Sequence, residues 1–125
     1  MTEVRVAHTA SLRTDDRQAI RKLLDDSFDD MTDDDYEHAL GGMHALVSDA
    51  GELIGHGSVV MRRMLHAGRS LRTGYVEGVA VRADRRRQGH GAALMAELER
   101  IIRAAYDLGA LGSTDEGAPF YLARG

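Results

Sequence analysis

The chain has 125 residues, is 43% hydrophobic and carries a formal net charge of −4, which suits one domain with a real core, below the usual size for an α/β enzyme, and argues against nucleic acid as a partner. It has no cysteine, so disulfides, thiolate zinc sites and a cysteine nucleophile are excluded. No apolar run approaches the roughly 18 residues of a membrane span and no charged-then-apolar leader opens the chain, so a soluble cytoplasmic protein is expected.

Val4–Thr9 alternates and predicts a first strand. Ser11 or Thr14 is placed to cap a helix over Asp15–Phe28, whose apolar stripe is Ile20, Leu23, Leu24 and Phe28. An acidic run follows, from Asp25 and Asp26 through Asp29, Asp30, Asp33, Asp34 and Asp35 to Glu37. Thr32-Asp33-Asp34-Asp35 reads as the capping signature of a short helix ending near Leu40, so part of the acidity has a structural cause. The remainder is either a solvated turn or a landing surface for a polycation. Met43–Asp49 reads as a strand, Ala50-Gly51-Glu52 as a hairpin turn and Leu53–Met64 as a longer strand. Gly55 and Gly57 inside that strand signal a bulge or a close backbone approach. A second turn at Ala67-Gly68-Arg69 leads through Leu71 into a half-buried strand over Gly74–Val81.

After that strand comes an arginine-rich loop, Arg82–Gln88, and then Gly89-His90-Gly91. Leu94, Leu98, Ile101, Ile102, Ala105 and Leu108 recur at helical spacing, so a helix is predicted from here to Gly109. The first amides of a helix lack partners and carry the positive end of its dipole. Glycines there let an anion approach the backbone, and Arg86 and Arg87 add charge-assisted bonds. A dinucleotide fingerprint would place a third glycine where Leu94 stands, and a Walker loop would need Gly-Lys-Ser/Thr. Neither is present. The pattern that remains is R-x-x-G-x-G, a phosphate-binding reading that competes with a merely solvated basic loop. Ala110–Ser113 is predicted as a short strand. Thr114 is read as the cap of a brief final helix, in which Pro119 is the odd residue.

Glu77 stands mid-strand between Val76 and Gly78. A carboxylate there either faces solvent on an alternating strand or faces a cleft as a base with a raised pKa. His38, His44 and His56 do not fall at metal-ligand spacing and read as structural, so no metal is expected. Met43, Met61, Met64 and Met95 read as core filler.

The strand, R-x-x-G-x-G loop and helix resemble the pyrophosphate-binding motif of the GCN5-related N-acetyltransferases. Three longer runs resemble the aminoglycoside 2'-N-acetyltransferases of actinobacteria. They are Glu37-His38-Ala39-Leu40-Gly41-Gly42-Met43-His44-Ala45-Leu46, then Gly74–Asp84, and Ala105-Tyr106-Asp107-Leu108-Gly109-Ala110-Leu111. The resemblance runs from about His8 to the last residue. It implies an α+β fold of the GCN5-related kind, a mixed and mostly antiparallel sheet flanked by helices, in a single domain over 1–125 whose last strands are missing. It implies acetyl-CoA as cosubstrate and acetylation of the 2'-amine of aminoglycosides, conferring resistance. The alternatives are acetylation of another amino sugar or polyamine, or a truncated, inactive CoA-binding remnant.

The resemblance also implies roles. The backbone of Val79, Ala80 and Val81 pairs with the pantetheine arm, and the Val79 N–H polarises the thioester carbonyl. The segment Arg86, Arg87, Gln88, Gly89, His90 and Gly91 holds the pyrophosphate. Glu77 deprotonates the amine and binds the acceptor. Tyr121, on the expected last helix, protonates the leaving sulfur. Asp30, Asp35, Gly78 and Gly112 complete the acceptor site, Gly112 through its backbone only. The bare sheet edge left by the short C-terminus makes a homodimer the expected assembly.

Overall fold

The apolar stripes read from the sequence meet on the two faces of one sheet. The computed structural model describes residues 2–112 and the strand 119–123. The elements run β1 (Thr2–His8), α1 (Thr14–Ser27), α2 (Asp33–His38), β2 (Met43–Asp49), β3 (Glu52–His66), β4 (Arg69–Val81), α3 (His90–Ala105), β5 (Leu108–Gly112) and β6 (Pro119–Ala123). The six strands lie in sequence order. Every neighbouring pair is antiparallel except β4 and β5, which run parallel with α3 as their crossover. Both hairpin turns have left-handed pairs, Ala50-Gly51 and Ala67-Gly68, which match the twist of the strands they join.

Ile54–Val60 of β3 is buried without interruption because both faces of the sheet are covered there. On one face Leu94, Leu98, Ile101 and Ile102 of α3 pack on Ala45, Val47, Ile54, Val59 and Val76. On the other, Ile20, Leu23 and Leu24 of α1 pack with Leu12, Leu46 and Ala80. Burying a side chain of this size stabilises by about 1.5–3 kcal/mol, so the two helices hold the sheet between them. Gly57 is a close-approach residue as expected: a Cβ there would lie 2.9 Å from Leu98 Cδ1.

Local signals set the helix starts. In α2, Thr32 Oγ1 accepts from the Asp35 amide and Asp35 Oδ2 from the Thr32 amide, each at 3.1 Å. In α1 the cap differs from the expected Ser11 or Thr14. The N-cap is Arg13, and Asp16 Oδ2 reaches back to its amide at 3.0 Å.

Two expectations near the C-terminal end are corrected. Helix α3 stops at Ala105 and not at Gly109. Gly109 belongs to β5, where a Cβ would lie 2.9 Å from Ile102 Cδ1, so this glycine lets strand and helix approach and is not a helix cap. The expected last helix is a strand. Phe120, Tyr121 and Leu122 pair with Leu111, Ala110 and Gly109 of β5. An aromatic run beside an open edge favours pairing, and Pro119 is tolerated as the first residue of a strand. Thr114, its expected cap, lies outside the described residues. Met43 and Met95 pack against the core as expected, whereas Met61 is 44% exposed and Met64 lines a cleft.

Candidate active site

The site is organised by an irregularity in β4. Glu77 pairs with Ser58 and Ala80 with His56, so Gly78 and Val79 together oppose the single residue Gly57. This is a β-bulge, a device that re-aims side chains and bends a strand. Gly78 has φ +58°, a left-handed conformation that favours glycine. A Cβ on it would also sit 3.3 Å from both Ala39 Cβ and His56 Cε1. Just before the bulge the β4–β5 ladder ends: it covers Thr73–Val76, while β4 continues along β3 to Val81. Among the described residues, the β5-facing side of Glu77–Val81 therefore has no pairing strand.

A cleft of about 370 Å³ opens on one side of this segment. Val79, Ala80 and Val81 line it together with Arg86, Arg87, His90 and Gly91. The loop that closes it is braced from within. Gln88 Oε1 accepts from Arg85 Nε at 3.1 Å and contacts His90 Nε2 at 3.2 Å. Arg85 Nη2 reaches Asp49 Oδ2 at 2.8 Å, and Arg86 Nε donates to the Val81 carbonyl at 3.1 Å. Arg87 has φ +64°, which costs a non-glycine residue about 1–2 kcal/mol and is characteristic of ligand-clamping loops. Gly89, at φ +87°, is the N-cap of α3 and supplies no side chain to it. The first amides of α3 thus open on a cleft flanked by two exposed arginines, an arrangement suited to a diphosphate.

On the other side of the bulge, Glu77 lines two further hollows. One, about 230 Å³, is shared with Asp30, Asp35, His38 and Gly78. The other, about 510 Å³, is shared with His38, Arg62, Met64 and Tyr75. Burial pushes the Glu77 carboxyl up, Arg62 and His38 pull it down, and Asp35 adds a further upward push. It is half-buried and poised closer to neutrality than an ordinary glutamate.

The structure separates the acidic run into parts. Asp25 and Asp33 pair with Arg21, and Asp26 pairs with Lys22. Asp30 and Asp35 face the Glu77 hollow, although Asp35 also serves as the cap of α2, whose Thr32 amide holds its pKa down. Arg62, Tyr75, His38 and Phe28 join these clefts without having been singled out for them. Nothing in a one-dimensional pattern marks them, because they reach the site from β3, β4, α2 and the end of α1. Gln88 and Gly89 shape the loop. Gly112 lies in β5 opposite Pro119, and Tyr121 lies in β6 opposite Ala110 and not on a helix; the Tyr121 side chain is outside the described residues. No group of three or more His, Cys, Asp or Glu suited to a metal occurs among the described residues.

The family model described as "Acetyltransferase (GNAT) family" matches residues 9–123. The chain belongs to this acetyltransferase family. Acetyl-CoA is the cosubstrate of the GNAT family. A curated relative, the aminoglycoside 2'-N-acetyltransferase of Mycolicibacterium fortuitum, is 47% identical over 122 residues. That alignment takes in 97% of this chain and 63% of the relative, so the chain spans somewhat under two thirds of that protein's length. Among solved structures, an acyl-CoA N-acyltransferase from Pseudomonas aeruginosa superposes with TM-score 0.74 at 17% identity, covering 92% of this chain and 81% of that one. A GCN5-related N-acetyltransferase from Ralstonia eutropha superposes with TM-score 0.70 at 18% identity, covering 94% and 86%. At these identities the GNAT structures speak for the fold. No helix among the described residues is long and apolar enough to cross a membrane.

Proposed function

We propose that this chain transfers acetyl from acetyl-CoA to the 2'-amine of an aminoglycoside. The observation that carries the proposal is the position of Glu77, at the bulge between the donor cleft and a hollow holding Asp30 and Asp35. Carboxylates crowded at a hollow attract a polycationic acceptor, and the 47% identity to an aminoglycoside 2'-N-acetyltransferase supports that choice of acceptor.

The pyrophosphate of CoA sits on the Arg86–Gly91 segment, with Arg86, Arg87 and the amides of Gln88, Gly89, His90 and Gly91 as its partners. The pantetheine arm adds to β4 along Val79, Ala80 and Val81 as an extra strand. The acceptor ammonium lies among Asp30, Asp35, Glu77 and the backbone of Gly78, with Gly112 a further backbone contact. Glu77 removes a proton from that ammonium, directly or through water. The free amine attacks the thioester carbon while the Val79 N–H polarises the carbonyl oxygen. The new C–N bond forms, the C–S bond breaks, Tyr121 gives a proton to the thiolate, and the acylated nitrogen sheds its extra proton, which restores the Tyr121 phenol through solvent. The protein works in the cytoplasm, where acetyl-CoA is available, and as a homodimer.

Thiol release from acetyl-CoA tests the assignment, with tobramycin set against aminoglycosides bearing a 2'-hydroxyl and against spermine. Turnover confined to acceptors with a free 2'-amine supports it. Equal turnover of the 2'-hydroxyl compounds or of spermine refutes the regiochemistry, and no turnover with any amine refutes the activity.

A further inference from the structure

Two histidines that the chemistry above does not use are fully buried in the middle of the sheet. His44 on β2 and His56 on β3 are both at 0% exposure. They are joined end to end. His56 Nδ1 lies 2.7 Å from the Gly78 carbonyl oxygen. His56 Nε2 lies 2.9 Å from His44 Nδ1. His44 Nε2 lies 2.6 Å from Thr9 Oγ1, and Thr9 Oγ1 accepts from the Gly41 amide at 2.8 Å.

The direction of this chain follows from its ends. A carbonyl oxygen can only accept, so His56 Nδ1 carries the hydrogen. Burial holds both rings neutral, each pKa falling from 6.5 to about 4, helped for His44 by the nearby charges of His8 and Arg17. A neutral His56 therefore has a bare Nε2, which accepts from His44 Nδ1–H. His44 Nε2 is then bare and accepts the Thr9 hydroxyl proton at 2.6 Å, a closer acceptor than the Gly42 carbonyl at 3.3 Å. Every donor from Gly41 to the bulge points the same way.

The chain ends on a particular peptide. The Gly78 carbonyl and the Val79 N–H belong to the same peptide unit, and no peptide bond among the described residues is cis. In a trans unit the two groups point in opposite directions. With the carbonyl held inward by His56, the Val79 N–H is directed to the opposite side, where Val79 lines the donor cleft.

We infer that His44 and His56 are positioning residues: through the Gly78 carbonyl they lock the bulge peptide so that its Val79 N–H faces the thioester oxygen. The inference rests on the proposed acetyl transfer. The bulge needs such a lock because Gly78, at φ +58°, lacks a side chain that would restrict it. Bonds aligned in one direction also polarise one another, which makes the terminal N–H a stronger donor. An oxyanion donor that is already oriented costs no reorganisation when the reaction occurs.

Three measurements test this on the whole chain. In ¹⁵N NMR of the free protein, both buried rings should be Nδ1–H tautomers at neutral pH; an Nε2–H tautomer on either ring overturns the inference. In kinetics, His56→Leu should lower kcat by about 10- to 100-fold, below the loss for deleting an oxyanion donor outright, with the Kd for CoA changed less than about twofold. His56→Asn keeps an N–H near the position of Nδ1 and should recover most of that loss, which a purely volumetric role would not give. An active wild type whose His56→Leu variant folds and keeps its kcat overturns the inference alone. A wild type inactive toward every amine refutes the acetyl-transfer reading and the inference with it.

Discussion

Mild acid should destabilise this protein before its ion pairs are touched. His44 and His56 are each lowered from 6.5 to about 4 by burial. The unfolded chain thus binds protons that the folded chain refuses between those values, and stability falls as pH falls through that window. One pKa unit is worth about 1.4 kcal/mol, so each ring contributes about 2 kcal/mol between about pH 6.5 and about pH 4.5. Because the rings touch, their joint effect lies at about 2–4 kcal/mol, a large part of the roughly 5–15 kcal/mol that holds a domain folded. Asp16, Asp84 and Asp107 act lower down. Their pKa values are depressed below 3.8 by bonds from Arg13, Arg82 and Arg72, so their contributions are lost only as pH falls below about 4. Glu77 has the opposite sign: its raised pKa favours the folded state at the acid end. Urea unfolding at half-unit steps of pH measures the slope. It should be nearly abolished in His44→Asn/His56→Asn and steeper in Glu77→Gln. A stability that stays flat to about pH 4.5, or an unchanged slope in the double variant, would refute the neutral buried pair.

Glu77→Gln should lower kcat/KM by about 100-fold at neutral pH and regain rate as pH rises and the acceptor deprotonates by itself; an unchanged rate in the thiol-release assay removes Glu77 as the base. Arg86→Ala and Arg87→Ala should each weaken CoA by about tenfold in titration calorimetry, the loss of one charge-assisted bond, and leave kcat nearly intact. If the two together change Kd by less than about threefold, the diphosphate lies elsewhere.

Some of this site is local enough to read directly. The capping box at Thr32, the hairpin glycines at 51 and 68, and the basic loop leading into α3 each depend on residues within a few positions of one another. Their chemistry is written consecutively, so their positions emerge correctly. The C-terminal segment departs from its helical pattern because its conformation is decided by the strand it pairs with. Pro119–Ala123 pairs with the edge that β5 offers, and no pattern inside those five residues records that edge. Gly109 likewise has the local pattern of a helix end, but its reason is Ile102, seven residues earlier and across the packing interface. The two buried histidines read only as structural, because in isolation a histidine on a strand carries no more information than that.

The sequence by itself determined which segments could be helix or strand, the absence of cysteine chemistry, the acidic run between α1 and β2, and a loop where glycines and arginines could receive a phosphate. Only the tertiary structure decided that Glu77 stands between two hollows, that Asp30 and Asp35 share one of them, and that Thr9, His44, His56 and Gly78 form one line of hydrogen bonds. The reason is physical. Propensity, capping and turn chemistry act over a few residues, while a cleft, a pKa shift and a hydrogen-bond chain arise from groups dozens of residues apart that meet only when two helices close over one sheet.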